Sequence, residues 1–248
     1  MKQYEAVLIT LEKLGGVATL AQLNANVFHI KDCDWKTKTP FASIRRIVQQ
    51  AKGIYKIKPG LYGLEKMKSS HVAQGIVADG VKGFDSIAAK TLSHTYYQSL
   101  LLDIGRMRHL GTFVPNQDKN KKAHDGRSLG DISTIKEIPL YSYDKIVKRS
   151  STVDVIWFNE RQMPDSFFEV EHSTDIQNSL LKFLDLQDLF ARMIIVADKK
   201  RKQEFVSKLG YSAFVKLASA KRVRFLDYDA LIKQYEQEVE RLTFECVL

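Results

Sequence analysis

The segments VDVIWF at residues 153–158 and SFFEVEH at residues 166–172 decide the fold of the larger part of this chain. Both are rich in β-branched and aromatic residues, and a Pro-Asp turn lies between them, which predicts two adjacent β-strands. Three carboxylates interrupt these apolar runs, Asp154 in the first segment and Glu169 and Glu171 in the second. Because alternate residues of a strand share a face, we expect Glu169 and Glu171 to point the same way. Asp154 is expected to meet Glu169 at one end of the sheet.

The three carboxylates predict a metal site. Like charges held together in a buried setting are costly unless a cation compensates them. Mg²⁺ prefers oxygen ligands and commonly uses only one to a few carboxylates, and Mn²⁺ is the expected substitute. We therefore expect Asp154 and Glu169 to bind a metal that acts on a phosphodiester, and Glu171 to take a proton from the attacking water or hold a second metal. His172 either contacts the scissile phosphate or forms a structural hydrogen bond after the strand.

The surrounding sequence predicts a three-layer α/β domain over residues 93–248. The predicted elements, in chain order, are a helix from residue 93, the two strands, a helix at 175–192, a strand at 193–197, a basic helix at 199–209, a strand at 222–228 and a helix at 229–242. A linker rich in Gly, Ser and Ala is predicted over residues 67–92.

The spacing of the carboxylates resembles that of the PD-(D/E)XK nuclease superfamily. Glu169 follows Asp154 by 15 positions, and the closest resemblance is to restriction endonucleases in which glutamate replaces the usual lysine. The string FFEVEHSTDIQNSLLKFLDL is similar to one subgroup of that superfamily. The resemblance implies a restriction-endonuclease-like core, with acidic ligands at Asp154 and Glu169 and with Glu171 at the lysine position. The family's Pro is absent before Asp154, and the missing lysine leaves the general base open.

Three further side chains are accessory candidates on the predicted helices. Gln98 lies on the helix where some members of the superfamily carry an acidic residue that binds a metal-bound water. Gln177 and Lys182 lie on the helix after the second strand and can face the same cleft. The alternative for each of them is an ordinary polar residue on a helix surface.

Residues 1–66 predict a small basic module. Twelve of the 38 Lys and Arg residues but only five of the 29 Asp and Glu residues lie in residues 1–70, so this segment carries +7 of the net charge of +9. Three helices followed by a hairpin that turns at Pro59-Gly60 predict the order of a winged helix-turn-helix domain. The stretch from TKTPFASIRRIVQ to YKIKPGLYGL resembles the HARE-HTH winged-helix family, which implies contact with DNA.

The candidate DNA-binding residues lie on the outer face of the third helix and on the hairpin. They are Ser43, Arg45, Arg46, Gln49, Gln50, Lys56 and Lys58. Basic and amide side chains on one helix face suit contact with phosphates and base edges. A winged helix that contacts proteins is the alternative.

Together these features predict a Mg²⁺-dependent endonuclease of the type II restriction kind that cuts double-stranded DNA as a homodimer. Two alternatives stay open: a nuclease-fold DNA-binding regulator that has lost cleavage, and a nuclease acting on RNA or a repair intermediate. The N-terminus is an amphipathic helix rather than a signal peptide, and the apolar runs are too short to span a membrane, so a cytoplasmic location is expected. The two cysteines form no CxxC pair, which leaves a zinc ribbon without support.

Overall fold

The computed structural model describes residues 1–74, 76, 87–172 and 175–245, with the backbone alone at residues 87–92 and 243–245. The chain divides into two compact units. The first comprises residues 1–92, 124–126 and the chain from Ile232 onward, and the second comprises residues 93–123 and 127–231. The linker predicted over residues 67–92 lies partly outside the described residues, and its described parts include a short helix and the start of a long one.

The first unit contains an antiparallel three-stranded sheet with the strand order β1-β3-β2. Its elements are α1 (Gln3–Lys13), β1 (Val17–Thr19), α2 (Leu20–Asn26), α3 (Pro40–Gln50), β2 (Ile54–Lys58), β3 (Leu61–Leu64) and α4 (Lys68–Ala73), with 3-10 helices at Val27–His29 and Glu65–Met67. The predicted order of three helices and a hairpin is confirmed. Strand β1 was not predicted, because its pairing with β3 joins segments far apart in sequence.

Local chemistry sets the ends of these elements. The Thr19 side chain caps α2 by accepting a hydrogen bond from the Gln22 amide. Pro40 occupies the first turn of α3, where its missing N–H costs nothing. Gly60, in the turn between β2 and β3, has a φ of 72°, which favours glycine.

The hairpin corrects one predicted DNA contact. Lys56 and Lys58 were expected to lie together on an exposed edge. The pairing of β2 with β3 shifts register between them, with Lys56 opposite Tyr62 and Lys58 opposite Leu61. This bulge leaves Lys56 exposed and turns Lys58 inward, where its exposed fraction is 3%. The prediction that Lys58 is a surface contact is therefore wrong.

The rest of the chain is built around a five-stranded sheet with the order β4-β5-β6-β7-β8. The elements are α5 (Ile87–Met107), β4 (Gly111–Phe113), α6 (Leu129–Ile132), α7 (Asp144–Ser150), β5 (Val155–Phe158), β6 (Pro164–Glu171), α8 (Ile176–Asp185), β7 (Arg192–Ala197), α9 (Lys202–Leu209), α10 (Val215–Ser219), β8 (Val223–Asp227) and α11 (Tyr228–Glu245), with 3-10 helices at Lys199–Arg201 and Ser212–Phe214. Strands β4, β5 and β6 pair antiparallel, and β6, β7 and β8 pair parallel.

Helices cover both faces of this sheet, which makes the fold mixed α/β. On one face, Ile156 and Phe167 pack in a core with Leu180 of α8 and Phe205 of α9. On the other face, the indole Nε1 of Trp157 donates to the Leu101 carbonyl of α5 at 3.0 Å. Helix α5 lies so close there that a Cβ on Gly105 would come within 2.7 Å of Trp157. The described helices include none that is both long and apolar enough to cross a membrane.

Several element boundaries differ from those predicted. Asp154 was placed inside a strand but lies just before β5, because its side chain binds the neighbouring strand's backbone. The Pro164-Asp165 pair, predicted as a turn, opens β6. Helix α8 stops at Asp185 rather than 192, although Leu186 and Leu189 beyond it still pack on the same core and so continue the apolar pattern.

The N-terminal unit also receives residues that were assigned to the second domain. The predicted second domain ran to residue 248, whereas the chain from Ile232 groups with the first unit. Arg45 of α3 donates to the Glu236 carboxylate of α11 at 2.9 Å, and Tyr235 is buried.

Strand β4 of the five-stranded sheet was not predicted, since three residues give too short a pattern to predict.

Candidate functional site

A cluster of carboxylates lies where strand β6 ends and β5 begins. Val155 pairs with Phe168, which brings the preceding Asp154 beside the end of β6. Asp154 Oδ2 accepts a hydrogen bond from the Val170 backbone amide at 2.8 Å. The predicted meeting of the two segments at one end of the sheet is therefore confirmed.

Glu169 and Glu171 point to the same side of the sheet, toward helix α8, as predicted. Both are buried, with exposed fractions of 2% and 4%. The Ser179 hydroxyl of α8 lies 3.1 Å from Glu169 Oε2 and also hydrogen-bonds Glu171 Oε1. One hydroxyl proton cannot serve two carboxylates at once. The Ser179 hydroxyl therefore satisfies at most one of the two carboxylates at a time.

Cationic side chains contact this face of the cluster. Lys182 Nζ lies 2.8 Å from both carboxylate oxygens of Glu169 and donates to the Thr152 carbonyl at 3.1 Å. Arg201 Nη1 lies 3.9 Å from the Glu171 carboxylate and donates to the Glu171 carbonyl at 3.1 Å. Burial, reinforced by the charge of Asp154 and opposed by Lys182, raises the pKa of Glu169 to about 8.

A second polar group reaches Asp154 from helix α5. His94 Nε2 lies 3.1 Å from Asp154 Oδ2, and His94 Nδ1 lies 3.1 Å from Gln98 Oε1. Gln98 Nε2 donates to Asp118 Oδ2 at 2.9 Å and to the Asp154 carbonyl at 3.2 Å. Burial disfavours the charged imidazole, but the hydrogen bond and charge of Asp154 outweigh it, so the pKa of His94 is raised.

The donors of the site fit Mg²⁺ in kind. Asp154 and Glu169 supply carboxylate oxygens, and burial together with the nearby charge of Asp154 disfavours the ionised form of Glu169, a cost that a bound cation would offset. Within the described ranges, no three His, Cys, Asp or Glu side chains are already arranged around one ion position. A metal held mainly by Asp154 and Glu169 needs only two protein ligands, with water completing its coordination.

The sequence of this region matches a known family. A family model described as the C-terminal domain of the type II restriction enzyme NmeDI matches residues 79–245. The chain belongs to this family. The curated type II restriction enzyme NmeDI of Neisseria meningitidis serogroup C is 24% identical over 158 residues, which are 60% of this chain and 44% of that enzyme. The chain thus spans less than half the length of this relative. A comparison with solved structures gave no significant match.

The NmeDI-family match covers the carboxylate cluster and all three accessory candidates. Lys182 contacts the cluster directly through Glu169, whereas the Gln98 side chain contacts His94, which in turn contacts Asp154. Gln177 instead accepts a hydrogen bond from Lys208 at 3.1 Å and is not brought to the carboxylates. His172 is half-buried directly after β6, and its role at a phosphate stays a prediction.

The candidate DNA-binding residues lie outside the matched range of the NmeDI family. Arg45, Arg46, Gln49, Gln50 and Lys56 are exposed, and Ser43 is half-buried. Ile44 and Val48 on the opposite side of α3 are buried, so the predicted outer face of this helix is confirmed. The use of these exposed residues in DNA binding stays a prediction.

Four side chains that the structure brings into or next to the carboxylate cluster were not predicted from the sequence: His94, Asp118, Ser179 and Arg201. Two of them could have been predicted from the spacing of residues along a helix. His94 lies four residues before Gln98, and Ser179 lies three before Lys182, so each shares a helix face with an accessory candidate. Asp118 and Arg201 lie far from the carboxylates in sequence, and only the fold brings them near.

Proposed function

We propose that this chain is a Mg²⁺-dependent endodeoxyribonuclease of the PD-(D/E)XK superfamily that hydrolyses phosphodiester bonds in double-stranded DNA, as a type II restriction enzyme does. The observation that carries the proposal is the set of three acidic side chains at one end of the sheet, two of them almost fully buried, in a domain of the NmeDI family. A fold has no structural need to bury like charges together, because doing so costs stability. A catalytically inactive regulator would gain nothing from keeping them, which argues against that alternative.

The roles of the residues follow from their contacts. Asp154 and Glu169 would hold Mg²⁺, with Mn²⁺ as a substitute. When bound, the ion supplies a Lewis acid that polarises a phosphate oxygen and lowers the pKa of a water. Glu171, whose carboxylate shares the Ser179 hydroxyl with Glu169, would take a proton from the attacking water or hold a second metal.

Lys182 supplies the positive charge that a lysine at position 171 would supply, where this chain has glutamate. It reaches the cluster from α8 rather than from β6, and its side chain is 24% exposed while the ammonium group contacts Glu169. An ammonium at this place can stabilise the negative charge that develops on a phosphate during hydrolysis. His172, directly after the strand, is proposed to contact the same phosphate.

We further propose that the first unit binds DNA as a winged helix and that two chains act together as a homodimer. The exposed Arg46, Gln49 and Gln50 on α3 and Lys56 on the hairpin would contact DNA. One carboxylate cluster cuts one phosphodiester at a time. A double-strand break in one binding event therefore requires two clusters, which a two-fold symmetric homodimer provides.

Plasmid cleavage tests the proposed chemistry. Wild type should nick or linearise supercoiled DNA carrying a target site in Mg²⁺ or Mn²⁺ and leave it intact in EDTA. Asp154→Ala should abolish cleavage while keeping DNA affinity, measured by fluorescence anisotropy in Ca²⁺, near that of wild type. Glu160→Ala serves as the matched control, because Glu160 is exposed in the turn before β6. Full cleavage by Asp154→Ala would rule out the assigned site.

A further inference from the structure

The two oxygens of the Asp154 carboxylate lie in different surroundings. Oδ2 accepts the Val170 amide proton at 2.8 Å and faces His94 Nε2 at 3.1 Å. Since a carboxylate only accepts, His94 is the donor in the second contact. Oδ1 has no hydrogen bond to any of the residues that the structure describes. Oδ2 is thus engaged by two donors, whereas Oδ1 is left without one among the described residues.

His94 is itself held from behind. Its Nδ1 lies 3.1 Å from Gln98 Oε1, and Gln98 is fully buried. The orientation of the Gln98 amide is fixed, because its Nε2 donates to Asp118 Oδ2 and to the Asp154 carbonyl. Asp118 is in turn paired with Lys121 at 2.5 Å. The imidazole therefore cannot rotate without breaking a buried network.

We propose that His94 is a positioning residue of the nuclease site, which holds Asp154 Oδ2 so that Oδ1 is presented to the divalent cation. The inference rests on the proposed metal-dependent function and adds a residue that the carboxylate motif does not contain. Hydrogen bonds to ligating side chains fix the direction of the ligand, and their loss weakens metal binding even though every ligand remains. Without His94, only the Val170 amide holds Oδ2, and the less restrained Asp154 carboxylate can offer its oxygens in orientations that do not suit the ion.

Two substitutions separate the two contacts of the ring. The amide nitrogen of glutamine lies the same number of bonds from Cβ as Nε2 of histidine, whereas that of asparagine matches Nδ1. His94→Gln therefore keeps a donor toward Asp154, and His94→Asn keeps a donor toward Gln98 only. Ser99→Ala is the control on the same helix, because among the described residues the Ser99 hydroxyl bonds only to the Tyr96 carbonyl within α5.

Isothermal titration of Mn²⁺ into the full-length, metal-free chain without DNA gives the decisive readout. His94→Asn should weaken Mn²⁺ binding by about 10- to 100-fold, the usual effect of losing such a contact. His94→Gln and Ser99→Ala should bind close to wild type. In cleavage assays, His94→Asn should lower kcat with little change in the KM for DNA. If thermal unfolding shows that His94→Asn does not fold, His94→Met, which fills the space without a donor, replaces it.

Equal losses in His94→Gln and His94→Asn would overturn the inference, since they would mean that the imidazole itself binds the ion. Unchanged Mn²⁺ affinity in His94→Asn would overturn it as well. A wild-type chain that binds no Mn²⁺ would refute the proposed metal-dependent function and the inference with it. A wild type that binds Mn²⁺ and cleaves DNA, combined with either of the first two results, would refute the role of His94 alone.

Discussion

Replacing Glu169 with glutamine should stabilise the metal-free protein, and the gain should grow with pH. Burial and the charge of Asp154 raise the pKa of Glu169 from its ordinary 4.5 to about 8. The unfolded chain releases this proton near 4.5, whereas the folded protein keeps it until about pH 8. The free energy of unfolding of wild type therefore falls as pH rises through this window and levels off above it. Glutamine resembles the neutral carboxyl group and does not titrate, so the variant lacks this loss.

The size of the effect follows from the width of the window. One pH unit corresponds to about 1.4 kcal/mol, so at pH 7 the difference in unfolding free energy should be about 3 kcal/mol. For a protein of this size, a midpoint shift of roughly 6 to 12 °C is expected. Lys182 keeps its hydrogen bond to the Thr152 carbonyl and is partly exposed, and Glu169 is itself neutral in the folded protein at pH 7, so the substitution costs Lys182 little.

Thermal unfolding from pH 5 to pH 9 in EDTA measures the effect. Glu160→Gln, an exposed control, should follow wild type at every pH. Addition of Mg²⁺ should reverse the order. The ion stabilises wild type because it binds only the folded state, whereas Glu169→Gln lacks one of the carboxylates that would bind the ion. Parallel curves for wild type and Glu169→Gln across this range would refute the argument that Glu169 holds a proton in the folded state.

Four further predictions concern the roles discussed above. Lys182→Met should lower the rate of cleavage by roughly 10²- to 10³-fold, the effect of removing one preorganised donor. Its Mn²⁺ affinity, measured by calorimetry, should not weaken, because the cation that competes with the metal for Glu169 is gone. Normal cleavage would exclude Lys182 from the chemistry. Arg46→Ala should weaken DNA binding by about 1–3 kcal/mol if this side chain reads a base edge. Lys58→Ala should instead lower thermal stability and leave the salt dependence of DNA binding unchanged, because Lys58 is buried; a shallower salt slope for this variant would restore it as a phosphate contact. In plasmid kinetics, a dimer should convert supercoiled DNA to linear product with little nicked intermediate. At low enzyme concentration, the rate should rise more than linearly with that concentration. Accumulation of nicked DNA at every enzyme concentration, together with a monomeric mass on DNA, would contradict the dimer.

The sequence determined by itself those features that are set by neighbours along the chain. The alternation of apolar and acidic residues in SFFEVEH fixed which face of β6 carries Glu169 and Glu171, and Thr19 and Pro40 marked helix starts. These features were predictable because strand alternation and helix capping depend on residues only a few positions apart. The family resemblance extended that local pattern to a site containing Asp154.

Only the tertiary structure decided which other side chains meet the carboxylates. His94 lies 60 residues before Asp154, and Arg201 lies 30 residues after Glu171. Their positions depend on how α5 and the segment after β7 pack on opposite faces of the sheet. The same holds for the inward turn of Lys58, which follows from a bulge between paired strands. Contacts of this kind arise from the packing of whole elements, and one residue's place in them is set by the rest of the fold rather than by its sequence neighbours.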